Sequence, residues 1–304
     1  MRGNVATELS AIGRLALDAA LHGAEVVDAA ARGGGLAVRA KSSPRDLVTD
    51  VDEAAEDAIA SYIRRHRPGD PILAEESGVH GGHGEVRWTI DPIDGTANFV
   101  RNRPDYAVAV AAEVGGRMAV GAIVHPATGE WIACDETGKV ACSQGTAVAS
   151  QAQTLRESLV SVSVSINENR RPLTLSTLAR LLPEVQDFRR TGSTSCDLSA
   201  VATGRLDAYI GIGTNPWDIA PGWAIVGAAW GSCLRFSIAG GREAFVLGAA
   251  AVTEQIAAIV NEHANTFAGS RAFPALAPRP RTAADPHSGP PGVAPRRHGP
   301  GHGR

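Results

Sequence analysis

The chain contains 304 residues, 44% of them hydrophobic and 20% charged, so it can bury the core of one large or two ordinary domains. A formal net charge of −3 provides no general attraction to nucleic acid or anionic membranes, and neither is expected as a partner. No apolar run approaches the roughly 18 to 20 residues of a membrane span, and the N-terminal residues lack the apolar stretch of a secretory signal. A cytoplasmic protein is therefore expected.

The first quarter of the chain predicts two helices and a short strand. Apolar residues recur at helical spacing from residue 8 to about residue 31, and a second helical pattern begins near Asp52 and ends at Pro68-Gly69. A short strand at residues 36–40 and a polar loop at residues 41–45 are expected between them.

A third apolar segment, residues 71–74, predicts a strand that ends at Glu75 and Glu76. Adjacent residues of an extended chain point to opposite sides, so at most one of the two carboxylates faces a given metal directly if the pair is still extended.

The stretch from Glu85 to Phe99 carries the clearest chemical signal. Trp88-Thr89-Ile90 predicts a buried strand that ends at Asp91-Pro92, because proline cannot continue a central ladder. Asp94 suits the N-cap of a following helix, and Gly95 lets backbone N–H groups approach a ligand closely. Two carboxylates beside a helix N-terminus predict a cation site next to an anion site, which a metal-dependent phosphate enzyme needs.

The rest of the chain predicts an antiparallel meander, a polar link and a second set of strands and helices. In chain order, strands are expected at 106–112, 118–125, 131–134, 159–166, 206–210 and within a hairpin at 234–247, and helices at 173–182, from Gly192-Ser193-Thr194 to Thr203-Gly204, and at 252–263. Asp218 is expected to N-cap a helix that has Pro221 as its third residue and extends to Trp230.

Composition divides the chain into three parts. An N-terminal α+β half at residues 1–146 contains most of the acidic motifs, and a C-terminal α/β half at residues 147–269 completes the site. Residues 270–304 are rich in proline, glycine, arginine and histidine, and a tail of that composition buries too little surface to offset its ordering entropy. Disorder is expected there.

Four motifs resemble, in order, those of the inositol monophosphatase family of Mg²⁺-dependent, Li⁺-inhibited sugar and polyol phosphatases. They are KSSPRDLVTDVD at 41–52, ILAEESG at 72–78, DPIDGTANF at 91–99 and NPWDIAPG at 215–222. The resemblance implies an α/β fold of the α+β type, an αβαβα layered sandwich shared with fructose bisphosphatases. It also implies a homodimer that acts on a small phosphorylated metabolite.

The resemblance further assigns roles to particular residues. Two or three Mg²⁺ ions are expected in each active site. The implied ligands are Glu75, Asp91 and the Ile93 carbonyl for the first ion, Asp91, Asp94 and Asp218 for the second, and Glu76 for a weaker, water-linked contact. The implied catalytic residues are Thr96, with its hydroxyl on the attacking water, and Asp52 behind it. The implied substrate-binding residues are Asp94, Gly95, Thr96, Gly192, Ser193 and Thr194.

Each acidic position also has an ordinary structural interpretation. Asp91-Pro92 suits a turn, Asp94 and Asp218 suit helix caps, and Glu75-Glu76 suits a solvated strand end. If these carboxylates converge, however, they repel one another unless cations lie between them.

The substrate is the least determined part of the prediction. Gly211 stands where the family usually has a glutamate that receives inositol hydroxyls, and a buried hydroxyl without a partner costs about 1 to 3 kcal/mol. Inositol 1-phosphate is the first expectation, with histidinol phosphate, fructose 1,6-bisphosphate and 3′-phosphoadenosine 5′-phosphate as alternatives. A catalytically idle binding or regulatory protein is the alternative from another class.

Overall fold

The computed structural model describes residues 9–33, 38–40, 47–145, 147–164, 171–238 and 241–267. The loop expected at 41–45 and the tail expected at 270–304 lie outside these residues. Among the described helices, none combines the length and the apolar character needed to cross a membrane.

Two long helices cover one face of the larger sheet. The first, α1 (Ala11–Gly33), packs on the second, α2 (Asp50–His66), and both contact that sheet. They pack closely because Gly23 has no side chain, and a Cβ there would lie 2.7 Å from the Ile59 side chain. A small antiparallel hairpin, β1 (Val38–Ala40) and β2 (Leu47–Thr49), precedes α2.

The larger sheet has seven strands. They are β3 (Ile72–Ala74), β4 (Gly78–His80), β5 (Val86–Asp94), β6 (Ala107–Val114), β7 (Arg117–His125), β8 (Glu130–Cys134) and β9 (Val140–Cys142). Their order is β4-β3-β5-β6-β7-β8-β9, and all neighbours are antiparallel except β3 and β5. Strand β6 is buried on both faces, since Val108 and Val110 join the core under α1 while Ala107 and Ala109 join the core on the opposite side.

The smaller sheet has five strands. They are β10 (Leu159–Val162), β11 (Asp187–Arg189), β12 (Ala208–Ile212), β13 (Ser232–Ile238) and β14 (Arg242–Gly248), and their order is β11-β10-β12-β14-β13. Strands β11 and β12 both run parallel to β10, so the three end at the same edge of the sheet.

The remaining helices complete the layers. The short α3 (Thr96–Val100) follows β5, whereas α4 (Arg171–Leu181) and α7 (Ala250–Phe267) pack together on the outer side of the smaller sheet. Between the two sheets lie α5 (Thr194–Ala202) and α6 (Pro216–Ala228). The order of layers is α1/α2, sheet, α5/α6, sheet, α4/α7, which confirms the predicted αβαβα sandwich.

The expected end of a strand at Asp91-Pro92 was wrong, because β5 continues to Asp94. Asp91 pairs with Ala109 and Asp94 pairs with Ala107, so one extra residue bulges out of β5 between them. Pro92 lies in the bulge and has no N–H to donate, so the strand can continue past the proline.

The expected start of α6 at Asp218 was also wrong. Asn215 is the N-cap, Pro216 is the first helical residue and Asp218 is the third, where its Oδ2 accepts the Asn215 N–H at 3.2 Å. Proline suits a first helical position because an N–H there has no intrahelical partner. Pro221 consequently lies inside the helix, and Trp230 lies beyond its end with φ of 68° and 82% of its surface exposed.

Candidate metal centre

A cavity of about 180 Å³, open to solvent, lies where β5, α5 and α6 meet. Of the site residues implied by the resemblance, Asp52 and Glu76 do not line this cavity and all the others do. The lining residues of that set are Glu75, Asp91, Ile93, Asp94, Gly95, Thr96, Gly192, Ser193, Thr194 and Asp218.

Three carboxylates converge in this cavity. Asp91 and Asp94 flank the bulge of β5, and Asp218 comes from the first turn of α6. Each contributes an oxygen, and these oxygens lie within 4.8 Å of one another. Residues more than a hundred positions apart therefore form one acidic cluster.

The Asp91 carboxylate is the most telling member of the cluster. It is 1% exposed, and neither of its oxygens has a hydrogen-bond partner among the described residues. Burial, and then the charges of Glu75, Asp94 and Asp218, raise its pKa well above the ordinary value. A buried carboxylate without a donor needs a counter-charge, and an all-oxygen donor set suits Mg²⁺. The residues therefore fit the predicted metal.

Asp94 is held by a helix other than the one that sequence suggested. The N-cap of α3 is Gly95, with φ of 99°, because Asp94 still belongs to β5. Asp94 Oδ2 instead accepts the N–H of Ser195 in the first turn of α5. Burial raises the pKa of Asp94, and hydrogen bonds from Ser195, Ser193 and Thr194 oppose that rise. The predicted N-cap role was wrong, and the observed contact ties β5 to α5.

Asp52 reaches the cavity through Thr96. The Thr96 hydroxyl lies 3.1 Å from Asp52 Oδ1 and 3.0 Å from the Ile93 carbonyl oxygen, and it can donate to either. The other Asp52 oxygen accepts the Thr49 N–H at 2.8 Å and the Thr49 hydroxyl at 2.6 Å. The bond from the Thr49 N–H and the one that the Asp52 N–H donates to Thr49 Oγ1, at 3.3 Å, form the capping box of α2, which fixes the buried carboxylate behind Thr96.

The paired glutamates lie in the turn that follows β3 and have different surroundings. Glu75 lines the cavity, and its charge raises the pKa of both Asp91 and Asp218, after burial as the main cause. Glu75 is not one of the three residues whose oxygens lie within 4.8 Å. Glu76 does not line the cavity, and its charge acts on Arg39. The water-linked metal contact of Glu76 stays a prediction.

Residues 192–194 form one wall of the cavity. Asn98 of α3 donates from its side-chain amide to the carbonyl oxygens of Asp105, at 2.7 Å, and Thr191, at 3.0 Å. Gly192 has φ of 99°, and a Cβ there would lie 3.1 Å from Asn98 Nδ2. The hydrogen bond from Asn98 to Thr191 thus connects this wall to α3, the helix that follows Asp91 and Asp94 of the acidic cluster.

Two charged residues that line the cavity were absent from the predicted set. Asp197 is buried, which raises its pKa to about 6, and its Oδ1 accepts the Thr191 hydroxyl at 2.8 Å. Its spacing of four residues from Ser193 on a predicted helix could have placed it on the same face. Arg190 also lines the cavity, directly after the end of β11, and that three-residue strand was not predicted.

Gly211 lies in β12 and does not line the cavity. A Cβ at this position would overlap Thr214 Oγ1 and lie 2.9 Å from the Tyr209 hydroxyl oxygen. The place of a side chain at residue 211 is therefore filled by its own neighbours.

The chain is similar to known proteins over most of its length. A model described as the inositol monophosphatase family matches residues 8–265. An inositol-1-monophosphatase of Mycobacterium leprae is 40% identical over 217 residues, covering 68% of this chain and 74% of the relative. A Nus factor SuhB of Salmonella typhimurium is 37% identical over 195 residues, covering 63% of this chain and 73% of the relative.

Solved structures with the same fold also match. Extragenic suppressor protein SuhB from Bartonella henselae superposes with a TM-score of 0.74 at 25% identity, covering 83% of this chain and 99% of that chain. Inositol monophosphatase from Anabaena superposes with a TM-score of 0.72 at 27% identity, covering 83% and 95%. Since the family model matches from the first helix to the last, this chain belongs to the inositol monophosphatase family and is a phosphoric monoester hydrolase.

Proposed function

We propose that the protein hydrolyses a small sugar, polyol or related phosphate with Mg²⁺ and a metal-activated water. The observation that supports this proposal best concerns the Asp91 carboxylate. It is buried beside the carboxylates of Asp94 and Asp218, and no hydrogen-bond donor among the described residues reaches it. Such a cluster is costly to bury unless cations neutralise it.

The donor set suits two or three cations. Glu75, Asp91 and the Ile93 carbonyl would hold the first, Asp91, Asp94 and Asp218 the second, and Glu76 would contribute through water. Bound Mg²⁺ lowers the pKa of a coordinated water and neutralises charge on the phosphate oxygens. Asp91 would therefore be shared by two ions.

The other residues would orient the reactants. Thr96 would accept a hydrogen bond from the attacking water and donate its own hydrogen to Asp52, 3.1 Å away. The backbone N–H groups of Gly95 and Thr96 would hold phosphate oxygens, and Gly192, Ser193 and Thr194 would contact the rest of the substrate. Asp52 thus sets the direction in which the Thr96 hydroxyl points.

Inositol 1-phosphate is our first candidate substrate, because relatives with that printed activity match the chain. Thr214 and Tyr209 fill the place that a side chain at residue 211 would take, and the glutamate that the family usually has there is missing. Histidinol phosphate, fructose 1,6-bisphosphate and 3′-phosphoadenosine 5′-phosphate therefore remain candidate substrates. A homodimer, a cytoplasmic location and inhibition by Li⁺ belong to the same proposal.

Phosphate release from a panel of these esters tests the proposal. We expect release by the wild type to require Mg²⁺ and to fall with Li⁺, and we expect Asp91→Asn to lose it. Asp57→Asn, which changes an exposed carboxylate on α2, is the matched control and should remain active. Full activity of Asp91→Asn would contradict the proposed metal centre.

A binding or regulatory role is the second candidate. It is supported by matched relatives whose printed name is Nus factor SuhB. This role predicts no turnover of any ester in the panel with Mg²⁺ present. If the wild type hydrolyses one of the esters and Asp91→Asn does not, a binding or regulatory role is not needed to explain the site.

A further inference from the structure

Glu56 is a buried carboxylate that none of the matched motifs includes. It lies on α2, one turn after Asp52, and is 3% exposed. Its Oε2 accepts the N–H of Glu76 at 2.8 Å, and its Oε1 accepts the N–H of Ser77 at 2.9 Å. Both oxygens are therefore engaged by consecutive backbone groups of the turn that follows β3.

That turn begins at Glu75, the glutamate that lines the cavity. On one side the Glu75 N–H donates to the Ile90 carbonyl oxygen of β5 at 3.2 Å. On the other side Glu56 holds the next two N–H groups. The Glu75 backbone is thus fixed between the strand that carries Asp91 and the helix that carries Asp52.

We propose that Glu56 is a positioning residue for the metal centre, which directs the Glu75 carboxylate toward Asp91 by holding the turn at residues 75–77. This inference rests on the proposed function, since it concerns the same cations. Residues that hold a metal ligand in place usually contribute 10- to 100-fold to metal affinity. Helix α2 then serves the site twice, through Asp52 behind Thr96 and through Glu56 behind Glu75.

A role in folding alone makes a different prediction. Glu56 would then stabilise the β3–β4 turn whether or not a metal binds, and its removal would lower the melting temperature of the metal-free protein without changing metal affinity. The two roles are separated by measuring metal binding directly, in the absence of substrate.

Glu56→Gln is the main test. The amide keeps the size of the side chain but offers one acceptor oxygen, and its NH₂ group faces a backbone donor. We expect Mg²⁺ to bind the full chain about 10- to 100-fold more weakly by titration calorimetry. We also expect kcat at saturating Mg²⁺ to stay close to that of the wild type, because Thr96 and Asp52 are untouched.

Glu53→Gln is the matched control, because Glu53 lies on the same helix but is exposed and pairs with Arg39. It should bind Mg²⁺ like the wild type. Glu56→Asp, whose side chain is one methylene shorter and cannot span both N–H groups, should also bind more weakly and serves if the glutamine variant does not fold.

The outcomes are distinct for the two proposals. If the wild type binds Mg²⁺ and a folded Glu56 variant binds it equally well, the positioning role is wrong and the proposed function stands. If the wild type itself binds no Mg²⁺, the proposed function fails first.

Discussion

The Thr96 hydroxyl has a dual contact that makes it the sharpest single test of the catalytic residues. It lies within 3.1 Å of both Asp52 and the Ile93 carbonyl, so it links the buried carboxylate to the cavity. Thr96→Val keeps the shape but removes this link, and we expect kcat at saturating Mg²⁺ to fall about 10²- to 10⁴-fold. Steady-state kinetics would measure the loss, and Thr96→Ser, which retains the hydroxyl, should keep most of the activity.

His125 is predicted to make stability depend on pH. Burial, reinforced by the Arg205 charge, lowers its pKa to about 4, while its ring contacts Ser199 Oγ at 3.2 Å and Cys196 Sγ at 3.5 Å. The unfolded chain takes up this proton near pH 6.5 and the folded chain only near pH 4. The free energy of unfolding therefore falls as pH decreases between these values, by up to about 1.4 kcal/mol per pH unit for one proton.

His125→Gln lacks this titration. We expect urea unfolding between pH 7 and pH 4 to show a shallower loss of stability for the variant than for the wild type. Comparison of the two proteins cancels the contribution of the carboxylates. Parallel pH profiles would contradict the assignment to His125.

At the scale of elements, the contact between β7 and α6 depends on a missing side chain. A Cβ on Gly121 would overlap the Pro221 carbonyl oxygen and lie 3.0 Å from Ile225 Cγ1. Because the obstacle is backbone, Gly121→Ala should separate the strand from the helix and cost about 1 to 3 kcal/mol of unfolding free energy. Urea unfolding would measure it. Gly69→Ala, which meets no atom within 4 Å, is the control and should change stability little.

Several elements show what the sequence could and could not predict. Strong periodicity predicted most helices and the antiparallel meander, because the apolar pattern reports which face is buried. Element ends were less predictable where proline was involved: a bulge accommodates Pro92 in β5, and Asn215 caps α6 ahead of Asp218. Three-residue β11 escaped prediction because Asp187 and Arg189 are polar and its pairing with β10 is tertiary.

The candidate site was predicted to a similar extent. The motifs predicted Glu75, Asp91, Asp94 and Asp218, which line the cavity, and also Asp52 and Glu76, which do not. They did not predict that Asp94 would accept an N–H of the first turn of α5, since its partner Ser195 is 101 residues away and only the fold brings them together. Glu56 was missed because its partners are backbone N–H groups 20 and 21 residues away, whereas Asp197, whose partner Thr191 is six residues away, lies outside the matched motifs.

At the scale of the whole molecule, the cluster joins separate layers. Asp91 and Asp94 belong to the larger sheet, whereas Asp218 belongs to a helix between the two sheets. Without cations, burial raises the pKa of all three carboxyl groups, and the charges of neighbouring carboxylates raise it further for Asp91 and Asp218. A cation that binds where the layers meet is therefore expected to stabilise the fold as well.

This coupling predicts a metal-dependent melting temperature. A ligand at 100 times its dissociation constant adds about 2.7 kcal/mol to the free energy of unfolding. Mg²⁺ should accordingly raise the melting temperature of the wild type above its value in EDTA, as measured by calorimetry. Asp218→Asn should melt at a higher temperature than the wild type in EDTA, because one repelling charge is gone, yet gain little from Mg²⁺. A wild-type melting temperature that is identical in EDTA and in Mg²⁺ would contradict the coupling between metal binding and the joining of the layers.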